Sequence, residues 1–278
     1  MSFIETEDIQ KGENVYINYQ DYGDGQPVIL IHGWPLSHKM WEYQIQAIVD
    51  AGYRCIAYDR RGFGDSDQPW YHYDYSSLAL DLRALIEQLD LYDCVLVGFS
   101  MGGGEVVRYL SMFGPERVDK AVLISSIIPL VKQTDDNPDG VPEEKLNEIM
   151  KSLQTNRVPF LAEFGKLFYN YTGKKGTLSE EQLRLDWTIA SLASPRAVIE
   201  TAKAWAHTDF RQEMRNVSVP TLIIHGDADQ IVPIKTSSEK AAEGIRNSKY
   251  VVIKDGAHGI FVTHKDQVNS ALISFLRR

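Results

Sequence analysis

The stretch VLVGFSMGGGEV, residues 95–106, sets Ser100 between Gly98 and Gly102 where an apolar run gives way to helix-like spacing. A strand that turns sharply into a helix forces the turn residue into an uncommon backbone conformation, and small neighbours let the flanking backbone pass closely. That geometry lifts a serine hydroxyl above the end of a sheet, with a helix N-terminus beneath it to stabilise developing negative charge. A phosphate-cradling loop would want a lysine after the glycines, and Glu105 stands there instead. The residues read as a nucleophile rather than a packing turn.

A serine hydroxyl attacks only when a base takes its proton and a carboxylate orients that base. With a nucleophile on such a turn, the partners are expected in the chain order acid, then histidine, each just beyond a strand. TLIIHGDADQIVP offers Asp227 and Asp229, and KYVVIKDGAHGI offers His258 together with Asp255. Other histidines fit less well. His32 and His225 close strand-like runs in His-Gly pairs and are expected to make backbone turn contacts, and His264 begins the final helix. The N–H of Met101, directly after the serine, is expected to be one of two backbone donors to the oxyanion.

The surrounding elements must hold these groups together. PVILIHG, YRCIAYD, CVLVGFS, KAVLISS and TLIIHG are short apolar runs, as strands covered on both faces would be, and VYINYQDYG and KYVVIKDG bracket them. Helical spacing falls between them at 40–52, at 75–91 with Ser76 or Ser77 as cap, after Ser100 to about Met112, at 235–245 and at 265–278. Alternation of this kind predicts an α/β fold with a mostly parallel sheet flanked by helices. From Ile127 to Val217 the pattern is helical only, with starts at Pro142, Pro159, Ser179 and Ser194, entered through the turn-rich TDDNPDG. A helical cap over residues 127–217 is expected, inserted into a core of 1–126 and 218–278 and lying over the carboxyl ends of the strands. Its Phe160, Phe164 and Phe168 recur at helical spacing, a pattern more often core than pocket, with the alternative that together with Trp205 they line an acyl or aryl site.

Composition narrows the partners. A net charge of −9 over 278 residues argues against nucleic acid, whose phosphates want a basic face. There is neither an apolar run long enough to span a bilayer nor a polybasic patch for a membrane surface, and MSFIETEDIQ lacks the basic-then-apolar pattern of a signal peptide. Cys55 and Cys94 sit in strand-like runs and read as reduced core thiols in a cytoplasmic protein. The seven histidines are dispersed and show no metal-ligand spacing.

HGWPLSHKMWEYQ, YDRRGFGDSD, GFSMGGGEV, NPDGVP and HGDADQIVP together resemble the α/β-hydrolase superfamily. Within it they resemble the cofactor-free haloperoxidase, perhydrolase and aryl esterase family, which also holds some lactamases, and the likeness covers nearly the whole chain. It implies the α/β-hydrolase fold, Ser100 as nucleophile, Asp229 rather than Asp227 as acid, His258 as base, and neither metal nor cofactor. It also implies that the Trp34 amide is the second oxyanion donor, and that DRRGFGDS is a structural loop beneath the site. Pro35 fixes its own φ and restricts Trp34 to extended backbone. In the family, a proline here resembles the perhydrolase loop, where the preceding carbonyl accepts a hydrogen bond from hydrogen peroxide.

The expected reaction is hydrolysis of a small carboxylic ester through an acyl-serine, with perhydrolysis beside it. A lactamase or amidase, a C–C hydrolase, and a slow-turnover ligand receptor would use the same three residues. A homo-oligomer stays open.

Overall fold

The computed structural model describes residues 2–8, 12–173 and 178–278. Their strands form one eight-stranded sheet, in the order β1 (Ser2–Asp8), β2 (Glu13–Tyr22), β4 (Arg54–Tyr58), β3 (Pro27–Ile31), β5 (Cys94–Phe99), β6 (Val118–Ile124), β7 (Thr221–Gly226) and β8 (Ser248–Ile253). β1–β2 and β2–β4 are antiparallel, and every pairing from β4–β3 to β7–β8 is parallel. Parallel neighbours need long crossovers. These carry α1 (Glu42–Asp50), α2 (Tyr75–Gln88), α3 (Met101–Phe113) and α7 (Ser238–Gly244), while α8 (Ile260–Thr263) and α9 (Lys265–Leu276) close the chain. α1 packs with α9, and α2 with α3. β5 is buried along its whole length, as its unbroken CVLVGF requires, whereas the edge strand β8 is half-buried.

The strands appear where the apolar runs predict them, with one omission. Among the β1 side chains described, Ile4 and Thr6 are the buried ones, too thin an alternation to stand out. The cap of α2 also differs: Asp74, not Ser76 or Ser77, accepts from the Ser76 and Ser77 amides at 3.0 and 3.2 Å. A carboxylate one residue ahead of the helix satisfies two orphan amides that a serine inside it cannot reach.

Between β6 and β7 lie α4 (Glu143–Phe168), α5 (Glu180–Leu192) and α6 (Pro195–His207). The two starts expected at Pro142 and Pro159 become one run broken at Asn156, whose φ −151° and ψ 46° are not helical. Pro159 then falls in the first turn of the second piece, where its missing N–H costs no hydrogen bond. Ser179 and Ser194 cap α5 and α6 as expected, accepting from Gln182 and Ala197.

Candidate active site

Ser100 links β5 to α3 with φ 52° and ψ −116°. Holding a non-glycine residue at such angles costs roughly 1–3 kcal/mol. Neighbouring backbone holds it there: Ser100 N–H donates to the Ile124 carbonyl at 2.9 Å, and its own carbonyl accepts from Gly103 and Ile127 at 3.0 and 3.3 Å. A Cβ on Gly98 would run into the Gly102 carbonyl, and one on Gly102 into the Ile31 carbonyl. Both glycines are therefore demanded by the close approach of β3, β5 and α3.

Loops beyond β7 and β8 bring the partners in. Ser100 Oγ lies 3.0 Å from His258 Nε2, and His258 Nδ1 lies 2.7 Å from Asp229 Oδ2. Asp229 Oδ1 accepts from the amides of Ile231 and Val232 at 2.9 and 2.8 Å. Burial alone would push the Asp229 carboxyl up, but the charge of His258 and hydrogen bonds from His225 and His258 hold it well below the usual carboxylate range. Asp227 is exposed and turned away, accepting the Asp255 amide at 2.6 Å.

His225 does more than the turn contacts expected of it. Besides the Val232 carbonyl, its Nε2 faces Asp229 Oδ2, both at 2.9 Å, while Nδ1 faces Ser238 Oγ at 2.6 Å. The only trace in the sequence is its place four residues before Asp229.

His258 is held on all sides. The Phe99 and Phe168 rings pack on the imidazole at 4.9 and 4.8 Å, the latter edge-on at 90°. Ser125 Oγ donates to the His258 carbonyl at 3.1 Å, and Gly259 N–H donates to the Phe168 carbonyl at 3.0 Å. Next along the chain, the Tyr169 ring fills the space a side chain on Gly259 would need, its hydroxyl bonds to buried Asp186, and Asn170 Nδ2 donates to Ala228 O at 2.8 Å. Phe168 is thus buried core, as expected, and packs against His258.

Met101 opens α3, so its N–H has no acceptor within the helix, and its side chain is core. Gly33 O accepts from Leu36 N–H at 3.0 Å and lies 2.9 Å from His32 Nδ1. Because Arg60 N–H donates to Nε2 at 3.0 Å, the His32 proton sits on Nδ1 and donates to Gly33. Burial, aided by the Arg60 charge, lowers His32 to about 3 and keeps it neutral. The Gly33–Trp34 peptide, with its carbonyl held by two donors, has its N–H direction fixed as well, since the two groups of a planar trans peptide oppose one another. The Trp34–Pro35 peptide is cis. Below these residues Arg60 is buried in an ion pair with Glu105, to which Tyr58 also donates, and Arg61 is paired with Asp81.

Ser100 and His258 open into a cavity of about 630 Å³. Trp34, Phe160, Phe164 and Trp205 line it, so two of the three phenylalanines expected in the core are pocket wall. Trp34 meets Phe164 and Trp205 edge-on at 5.2 and 5.7 Å, and its indole N–H donates to Val198 O of α6 at 2.9 Å. Asp139, Lys145, Glu148 and Glu163 also border the cavity. Cys55 and Cys94 are buried and unpaired. Among the described residues no cluster of three metal-ligating side chains occurs, and no helix is long and apolar enough to cross a membrane.

The family model for the alpha/beta hydrolase fold matches residues 26–265. The chain belongs to the α/β-hydrolase family. It is 38% identical to a non-heme chloroperoxidase of Kitasatospora aureofaciens, over 96% of this chain and 98% of that one. It is 35% identical to a bifunctional esterase/perhydrolase of Acinetobacter calcoaceticus across the full length of both. The crystal structure of a bromoperoxidase from Bacillus anthracis superposes with a TM-score of 0.95 at 43% identity, covering all of both chains.

Proposed function

We propose that this α/β-hydrolase cleaves small carboxylic esters through an acyl-enzyme on Ser100. The observation that carries the reading is the unbroken line Ser100 Oγ, His258 Nε2, His258 Nδ1, Asp229 Oδ2, at 3.0 and 2.7 Å, opening into the aromatic-walled cavity. His258 takes the Ser100 proton as Oγ attacks the ester carbonyl, and Asp229 stabilises the imidazolium. The Trp34 and Met101 amides receive the oxyanion. Collapse expels the alcohol, which takes the proton from His258, and water then releases the acid by the same steps in reverse.

Residues 127–217 serve as the cap in this reading, since α4 and α6 supply Phe160, Phe164 and Trp205 to the wall. A wall of four aromatic rings suits an uncharged acyl or aryl group. Hydrogen peroxide in place of water would release a peracid, and Pro35 after Trp34 favours this second outcome, as does the relative named esterase/perhydrolase. Fluorophosphonate labelling with mass mapping tests the assignment. The label should fall on Ser100, with hydrolysis of a phenyl or acetate ester lost in proportion; a label elsewhere, or none alongside turnover, overturns it.

A further inference from the structure

The acid of the triad has a second imidazole on it. Asp229 Oδ2, which meets His258 Nδ1 at 2.7 Å, also meets His225 Nε2 at 2.9 Å, and no side-chain surface of Asp229 or His225 reaches solvent. A carboxylate offers about four acceptor sites. Here four N–H groups face them: two imidazoles on Oδ2 and the amides of Ile231 and Val232 on Oδ1.

The tautomer of His225 follows from its neighbours. Nε2 faces only acceptors, Asp229 Oδ2 and the Val232 carbonyl, so Nε2 carries hydrogen. Nδ1 faces the Ser238 hydroxyl at the head of α7, which can turn its hydrogen toward the ring. On the other side of the carboxylate stands His258, with Ser100 beyond it.

We propose that His225 is a positioning residue for the reaction, holding Asp229 in the rotation at which Oδ2 faces His258 and tempering its basicity. The proposal rests on Ser100, Asp229 and His258 acting as the triad. Rotation about the Asp229 Cβ–Cγ bond would break bonds on both oxygens at once, and neither the Asp229 nor the His225 side chain has surface exposed to solvent. Without that donor, Oδ2 keeps an unsatisfied buried lone pair and directs more of its charge at His258. The carboxylate loses orientation, which slows the chemical step. It also holds the His258 imidazolium more strongly, which carries the acid limb of kcat/KM to higher pH.

Two substitutions of similar size and polarity separate positioning from packing. The amide nitrogen of glutamine reaches the place of Nε2, whereas that of asparagine stops near Nδ1. His225→Gln should keep near-normal kcat and an unmoved acid limb. His225→Asn should lower kcat roughly ten- to a hundred-fold, the size expected for a lost hydrogen bond to a buried charge, with KM little changed. Its acid limb should move to higher pH. Thermal melting reports the fold of each variant. Wild-type kcat and limb in His225→Asn, or equal losses in both variants with no movement of the limb, would overturn the proposal and leave His225 a packing residue. Ser100→Ala runs alongside: if it remains active, the triad reading fails first. If it is inactive while His225→Asn behaves as wild type, only the role of His225 falls.

Discussion

Asp229 reaches His258 at 2.7 Å, whereas Asp227, two residues earlier, turns outward and takes the Asp255 amide at 2.6 Å. Two carboxylates on one short turn thus have separate tasks, one facing the imidazole and one tying the loop after β7 to the loop after β8. Asp229→Asn should lower kcat by about 10³-fold or more, because the neutral amide leaves the imidazole poorly oriented and its cation unsupported. Asp227→Asn should stay within a few-fold of wild type. Steady-state kinetics on one ester ranks the two, and the reverse ranking would exchange their roles.

Ser100→Ala removes the proposed nucleophile from a backbone turn that the Ile124, Gly103 and Ile127 bonds hold in place. Ester turnover should drop by several orders of magnitude, with the circular dichroism spectrum and melting temperature retained or slightly raised. Activity near wild type in the purified variant would contradict the assignment.

Pro35→Leu separates the two acceptors of the acyl group. If the Trp34 carbonyl receives a hydrogen bond from peroxide in the transition state, losing its placement removes about 1 kcal/mol from that path only, shifting the ratio of peracid formation to hydrolysis about five-fold. Both rates are measured on one acetate donor, with wild type and variant side by side. An unchanged ratio reduces Pro35 to a turn residue.

Chelation should leave the rate intact. An imidazole reaches Ser100 and a carboxylate reaches that imidazole, and the proposed chemistry moves only protons and an acyl group. Loss of activity with a chelator, restored by one metal, would require a different mechanism.

Asp186 gives the fold a pH signature. Burial raises its carboxyl to about 6 even though Tyr169 and Gln182 donate to it. A carboxyl with a folded value above its unfolded one contributes stability that is full below about pH 4 and lost as pH rises through about 6. A shift of this size corresponds to roughly 3 kcal/mol at most. Asp186→Asn removes the titration, so its stability relative to wild type should improve between pH 4 and 7. Urea unfolding at several pH values measures the trend, and a flat difference would show that Asp186 does not titrate in that range.

Much of this site was legible before folding. The alternation of apolar runs with helical spacing predicts the parallel sheet, and Gly98-Phe99-Ser100-Met101-Gly102 at a strand–helix junction predicts the elbow, because both are local patterns. What stayed hidden depends on contacts between distant segments. His225 looked like a turn histidine because nothing in the sequence shows that the chain curls back to put Nε2 on Asp229. Phe168 shared helical spacing with Phe160 and Phe164, yet the end of α4 turns it toward His258 while the other two face the cavity. β1 stays hidden for the opposite reason: its pattern is local, but among its described side chains two buried residues express it.

Phe168, the last residue of α4, and the two residues after it have a consequence for redesign. Phe168, Tyr169 and Asn170 belong to the segment that shapes the cavity, yet they touch His258, Gly259 and Ala228, the neighbourhood of both the proposed base and the proposed acid. Transplanting 127–217 from a relative to import its substrate range would therefore also replace the jaw that grips His258. A chimera made that way would inherit the donor's pocket on a loosened base, and would recover speed only when the graft keeps this tripeptide or brings a matched Gly259 loop with it.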